Sequence, residues 1–343
     1  MPLSVLQPVE RRRRPRRKRR LLLLLLLVTS VTAGSLAVTK PWARPHPTPH
    51  ARAAPITHAA LRPPARPQLA ARKRVVLRTL PKPLAQPLLA WPRRVRHAFR
   101  PPLGGRAALL VDERTGRVLW AKRPHARLPI ASTTKIMTAL LALERLPLGR
   151  RITVTRKVPR VALVREGLRA GERPPVWKLL YGLLLFSGND DALTLAIGTS
   201  GSRAGFIALM NERAHQLDLR DTHFTTPSGV VDRGNHSSAW DLAALTRYTM
   251  RLPSFRKIVR TREIHVRWAA PTYSKIYVNK NNLLRTYRGA DGVKTGWTTI
   301  AGHCLVASAH RRGVRLLAVV LHSPDPYADA RRLLNFGFDY LPE

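Results

Sequence analysis

Apolar and polar positions along the chain fall into three successive patterns, and the boundaries between them divide the molecule. From Ala107 onward the pattern is that of a folded domain. Residues 107–112 and 118–121 are short apolar runs around a turn at Glu113 to Gly116, which predicts two strands forming a hairpin. Residues 132–146 carry apolar positions at helical spacing and stop before Pro147, and the apolar run 176–186 also predicts a helix. Residues 202–216 and 239–250 repeat apolar positions every three to four residues, the pattern of amphipathic helices. Late in the chain, Val293 and Lys294, residues 302–309 and residues 315–321 read as strands, the last two turning at Arg311 to Gly313, and residues 329–336 close with a helix. No period of repeat length is present.

Ahead of this lies a different composition. Residues 11–20 are all Arg or Lys except Pro15, and residues 21–28 are an unbroken apolar block that continues more weakly to Val38. A basic stretch, a short apolar stretch and the small residues near Ala33 predict an export signal over residues 1–38, either cleaved after Ala33 or kept as a membrane anchor. Both forms place the rest of the chain on the extracytoplasmic side. Residues 39–103 are rich in Pro, Ala and Arg and hold no acid, so they bury too little apolar surface to offset their conformational entropy; a disordered basic linker is expected there. Residues 104–343 form the expected domain, large enough to fold on its own core.

The chain of 343 residues has a formal net charge of +42, and residues 1–103 hold 23 of the 61 Lys and Arg with Glu10 as their one acid. Such charge suggests nucleic acid, but no zinc-finger, RNA-binding or recognition-helix pattern accompanies it, and an exported chain meets anionic wall polymers and lipid headgroups instead. Nucleic acid is therefore not an expected partner. Cys304 is the single cysteine, so no internal disulfide forms, and its apolar setting suits a small core residue. The 12 histidines include no paired ligand motif, so no metal and no cofactor is expected.

The chemistry lies in three short motifs: Ser132-Thr-Thr-Lys135 opening a helical run, Ser187-Gly-Asn189, and Lys294-Thr-Gly296 in a strand. A serine hydroxyl needs a base within hydrogen-bond reach, and residues three apart on a helix share a face, so Lys135 is placed beside Ser132 by geometry alone. Taken singly, each motif has an ordinary reading as a capped helix start, a turn or an exposed strand edge. Their order, spacing and settings together describe an acyl-transfer site. A Ser-His-Asp hydrolase is disfavoured, since the Gly-x-Ser-x-Gly it would want after a strand is absent.

With these motifs, residues 128–140 (LPIASTTKIMTAL), 183–190 (LLLFSGND), 291–296 (DGVKTG) and 301–306 (AGHCLV) make the chain similar, over about residues 104–338, to the low-molecular-mass penicillin-binding proteins, the serine-type D-alanyl-D-alanine carboxypeptidase and endopeptidase family. The resemblance implies an α+β, penicillin-binding protein/beta-lactamase-like fold: an antiparallel sheet completed by both ends of the domain and flanked by helices, with an all-helical lobe inserted. It implies that Ser132 is the nucleophile, Lys135 its base and Ser187 the relay to the leaving amine. Asn189 would donate to substrate and orient Lys135, Lys294 and Thr295 would take the terminal carboxylate, Gly296 would leave room for peptide along the strand, and the Ser132 and Trp297 N–H groups would hold the oxyanion. The substrate would be a peptidoglycan stem peptide losing its terminal D-alanine, with beta-lactams as covalent inhibitors. Lys294, on a strand edge, is expected to be solvent-exposed.

Two residue-level departures from the family pattern stand out: Trp297 replaces a common His, Tyr or Phe, and Pro227-Ser-Gly229 has a small central residue. Beta-lactamase activity is disfavoured, because no Glu-x-x-Leu-Asn segment follows Ser187 to supply a deacylating base. The end at Glu343, short of a C-terminal β domain, and the 301–306 strand are similar to the endopeptidase branch, which keeps cross-link cleavage as the alternative. A non-catalytic wall-binding protein is the third reading, disfavoured by the intact motifs.

Overall fold

The computed structural model describes residues 88–91, 101–230, 234–267 and 274–340. The expected export signal, and the linker as far as residue 87, lie outside them. The elements in chain order are β1 (Ala107–Asp112), β2 (Val118–Lys122), α1 (Lys135–Arg145), α2 (Val176–Tyr181), α3 (Asn189–Ser200), α4 (Arg203–Gln216), α5 (Ala239–Thr249) and α6 (Pro253–Arg260). They continue with β3 (Glu263–Val266), β4 (Lys275–Val278), α7 (Leu283–Thr286), β5 (Ala290–Thr298), β6 (Gly302–Arg311), β7 (Val314–Ser323) and α8 (Pro326–Tyr340). A 3-10 turn (Ala131–Thr134) runs into α1, and a π-helical turn (Gly182–Phe186) extends α2.

Five strands form one antiparallel sheet in the order β2-β1-β7-β6-β5, so the early hairpin pairs with the end of the domain through β1 and β7. The helical lobe α2 to α4 is inserted between these halves. This is the α+β architecture expected. Both faces of the sheet are covered, which explains why its central strands read as continuous apolar runs. On one face Leu109, Val111, Val306, Leu317 and Val319 join the core shared with α1 and α5; on the other Leu110, Leu305, Leu316 and Val320 pack on Leu333 and Leu334 of α8. Burying such a side chain stabilises the fold by roughly 1.5–3 kcal/mol.

Helix starts follow local chemistry. Ser202 and Ser238 cap α4 and α5 by accepting from the N–H groups of Gly205 and Asp241 at 3.0 and 3.1 Å, each cap worth about 1 kcal/mol. Four short elements escape the periodicity: α6 is eight residues long, α7 is a single turn, and β3 and β4 are four-residue strands that, among the described residues, pair with each other. Windows that short do not establish a period.

One boundary changes. Residues 88–91 fall within the expected linker, yet Leu88 and Leu89 are buried in the core, Ala90 donates to Gly116 O and accepts from Val118 N–H, both at 3.0 Å, and Arg247 donates to Leu88 O at 2.7 Å. Two leucines bury their side chains in the domain core, so the folded unit reaches back at least to Leu88.

Candidate active site

Ser132 lies in the 3-10 turn rather than in α1, and Lys135 is the first residue of α1. Residues three apart eclipse in a 3-10 turn, so the pair is held closer than on an α-helix. Lys135 Nζ is 2.9 Å from Ser132 Oγ, 2.8 Å from Asn189 Oδ1 and 3.1 Å from Ser228 O. A neutral amine has two N–H groups and one lone pair. Asn189 Oδ1 and Ser228 O accept the two, which leaves the lone pair for the Ser132 hydroxyl.

Lys135 is fully buried, and its pKa lies well below the ordinary lysine value because of desolvation first and the Lys294 charge second; Asp191 and Asp190 act in the opposite direction. The environment therefore favours the uncharged base. Lys294 is also buried, which overturns its expected exposure. Although β5 is the sheet edge, the lysine points under the Ser187 loop, donating to Ser187 Oγ at 3.1 Å and to Thr295 O at 2.9 Å. Burial, with Lys280 nearby, pushes its pKa down to about 7.

The second motif sits at a backbone break. Ser187 ends the π-helical turn in the left-handed region (φ 73°), and Asn189 begins α3. A non-glycine residue held there is strained, and such strain gathers where side chains must be aimed. Asn189 orients Lys135 as expected, but its amide also donates to Ala162 O at 2.9 Å, so one of the two N–H groups expected for substrate binds the loop instead. Asn189 N–H donates to Val164 O at 2.8 Å.

The third motif borders the nucleophile. A Cβ on Gly296 would lie 3.0 Å from Ser132 N and 3.1 Å from Ile130 O, so only glycine lets β5 pass this close. Thr295 is partly exposed beside it, while Trp297 is 59% exposed and packs against His303 with ring centroids 6.0 Å apart. All eight expected residues thus lie on three segments that approach one another through Ser132, Lys135, Ser187 and Lys294. A cleft of about 220 Å³ opens beside Asn189 and Ser228, walled by Val161, Leu193, Pro227 and Val230, with Arg203 on its lining.

The Ser228 carbonyl and the 162–168 loop were not legible as site components. Backbone groups leave no residue-type signal, and Pro227-Ser-Gly229 stood out only by its small centre. Cys304 is buried in β6 with its thiol pKa pushed up to about 11, which suits the core role expected of it.

The model of the D-alanyl-D-alanine carboxypeptidase family, Peptidase S11, matches residues 95–325. A D-alanyl-D-alanine carboxypeptidase of Bacillus subtilis, DacF, is 36% identical over 242 residues, covering 68% of this chain and 62% of that protein. A D-alanyl-D-alanine endopeptidase of Escherichia coli is 32% identical over 242 residues, covering 69% and 78%. The crystal structure of the Streptomyces K15 DD-transpeptidase superposes with a TM-score of 0.67 at 31% identity, over 71% of this chain and all of the other.

Proposed function

The chain belongs to the D-alanyl-D-alanine carboxypeptidase family, and we propose that it removes the terminal D-alanine from peptidoglycan stem peptides through an acyl-enzyme on Ser132. The observation that carries this reading is the 2.9 Å contact between Ser132 Oγ and a buried Lys135 whose other hydrogen-bonding capacity is taken by Asn189 and Ser228.

The substrate carboxylate pairs with Lys294, kept protonated by that contact, and with the Thr295 hydroxyl. Ser132 Oγ then attacks the penultimate carbonyl carbon as its proton passes to Lys135 Nζ. The developing oxyanion takes the Ser132 and Trp297 N–H groups. Ser187 Oγ, bridged to Lys294 at 3.1 Å, gives its proton to the leaving nitrogen and takes up the one that Lys135 received, so Lys135 is neutral again. The C–N bond breaks, free D-alanine departs, and water hydrolyses the Ser132 ester with Lys135 again as base.

Export is part of the proposal, supported by the basic and apolar pattern of residues 11–38. So is contact of the basic arm with an anionic wall polymer or membrane surface, supported by its charge. The Escherichia coli endopeptidase likeness keeps cross-link cleavage as the second reading. Incubating the full chain with a stem pentapeptide and with a cross-linked dimer, read by mass spectrometry, separates the two. Loss of one alanine from the pentapeptide is expected; cleavage of the dimer alone overturns the carboxypeptidase reading. Ser132→Ala should abolish both turnover and labelling by a fluorescent penicillin while its melting temperature stays within a few degrees of wild type.

A further inference from the structure

Behind the Ser187 loop lies a group of buried carboxyls that the acylation chemistry does not use. Asp190, at the start of α3, accepts from the N–H groups of Glu166, Gly167 and Leu168 at 3.0, 2.9 and 3.1 Å and is thereby satisfied. Glu166 and Asp191 differ from it. A Cβ on Gly182 would lie 2.4 Å from Glu166 Oε2 and 2.5 Å from both Asp191 carboxyl oxygens, so the two carboxyls occupy one space, within about 5 Å of each other. A Cβ on Gly188 would lie 1.9 Å from Asp191 Oδ2, which puts the same carboxyl directly beneath the Ser187-Gly-Asn189 turn.

Asp191 is completely buried, and neither of its oxygens has a donor among the described residues. An ionised carboxylate left so costs several kcal/mol. Two carboxyls in one space cannot both ionise, but one that keeps its proton donates to the other. The groups facing them agree with this. Lys275 and Tyr277, both on β4, favour the ionised form of Glu166, with Lys275 Nζ 3.5 Å from Oε1, whereas Asp190 opposes it. Around Asp191, burial, Glu166 and Asp190 favour the neutral acid, against Lys275 and Lys135. Burial pushes Glu166 up to about 7 and Asp191 well above its ordinary value.

We propose that Glu166 and Asp191 hold one proton between them, and that this acid–carboxylate pair positions the Ser187–Asn189 turn for acylation by fastening the 162–168 loop beneath it. The loop already meets the turn through Asn189 N–H to Val164 O and Asn189 Nδ2 to Ala162 O, and Lys275 Nζ donates to Glu166 O at 2.7 Å. The shared proton adds a direct link between two buried side chains. Both act as positioning residues, since neither touches Ser132 or Lys135.

Because both carboxyls bind their proton more tightly in the folded state, stability falls as pH rises from the unfolded value near 4.5 through about 7. Asp191→Asn replaces the shared proton with an amide N–H that donates to Glu166 at every pH. The test measures melting temperature of the full chain from pH 5 to 8 for wild type, Asp191→Asn and Asp191→Leu, together with penicillin labelling rates at pH 7. The infrared band of a protonated carboxyl is recorded for wild type and Asp191→Asn.

The asparagine variant should at least halve the fall in melting temperature, remove the carboxylic acid band seen in wild type at pH 7, and label within threefold of wild type. The leucine variant should label at least tenfold more slowly. A melting profile parallel to wild type, or no acid band in wild type at pH 7, overturns the shared proton. Labelling by Asp191→Leu at the wild-type rate overturns the positioning role. Only the labelling arm rests on the peptidase reading; melting and infrared spectra stand or fall without it.

Discussion

Lys294→Met tests whether the buried cation on β5 is held against its own solvation for the sake of the substrate. The folded chain lowers the Lys294 pKa from 10.5 to about 7, and 3.5 units at about 1.4 kcal/mol each make the protonated lysine cost the fold roughly 5 kcal/mol at pH 5.5. That cost is fully present below the folded pKa and is relieved as pH rises from about 7 toward 10.5; by pH 9 about 2 kcal/mol remains. Methionine conserves most of the volume. It loses the contacts to Ser187 Oγ and Thr295 O, at about 1 kcal/mol apiece. The variant should therefore be more stable than wild type by about 3 kcal/mol at pH 5.5 and equal to it near pH 9. Urea unfolding at the two pH values measures this. Turnover of carboxylate-ending peptides should fall about 10- to 100-fold in kcat/KM, the worth of one charge-assisted contact. Since the Lys294 charge also lowers the Lys135 pKa, the acid limb of penicillin acylation should move to higher pH. Equal stability differences at pH 5.5 and 9 refute the reasoning, because a solvated lysine gives that result.

Two further outcomes follow from the same contacts and from the charge of the arm. Asn189→Ala removes an acceptor of Lys135 and the side-chain donor to Ala162 O, while the backbone N–H to Val164 O remains; acylation by a fluorescent penicillin should slow at least tenfold, with about 1–3 kcal/mol lost in denaturant unfolding for the buried partners left unsatisfied. A chain beginning at Thr39 should sediment with purified sacculi or anionic vesicles at low salt and release near 1 M salt, where the screening length is about 3 Å, whereas one beginning at Leu88 should stay in solution yet hydrolyse a soluble peptide equally fast; equal retention of the two at every salt concentration leaves the arm a spacer.

What could be read from sequence is what local geometry dictates. Ser132 and Lys135 are neighbours by chain spacing, Gly296 admits close backbone approach, and the β1, β6 and β7 runs are apolar because both sheet faces are covered. Burial is a property of the whole fold. Lys294 sits on an edge strand, where lysine usually meets water, and nothing within several residues shows that the Ser187 turn closes over it. Leu88 and Leu89 look like part of a proline-rich linker until the β1–β2 turn and Arg247, more than 150 residues away along the chain, are seen to receive them. The same holds for Glu166 and Asp191, which in sequence are ordinary loop and helix-start acids.

These hidden features share a physical origin. A base that accepts a proton from serine must be neutral at the pH where the enzyme works, and burial next to a second cation achieves that for Lys135. The same burial would drive Lys294 neutral and lose the carboxylate anchor, were substrate not to bring its own negative charge. Carboxyls placed behind the turn act against the shift of Lys135 without touching it, because Asp191 and Asp190 raise what Lys294 and desolvation lower. An ionised Asp191 acts against the neutral form of Lys135 that the reaction needs. Sharing a proton limits Glu166 and Asp191 to one charge, and that charge lies opposite Lys275. The acid pair and the lysine pair are thus one balanced set, in which each buried charge fixes how many of the others the fold tolerates.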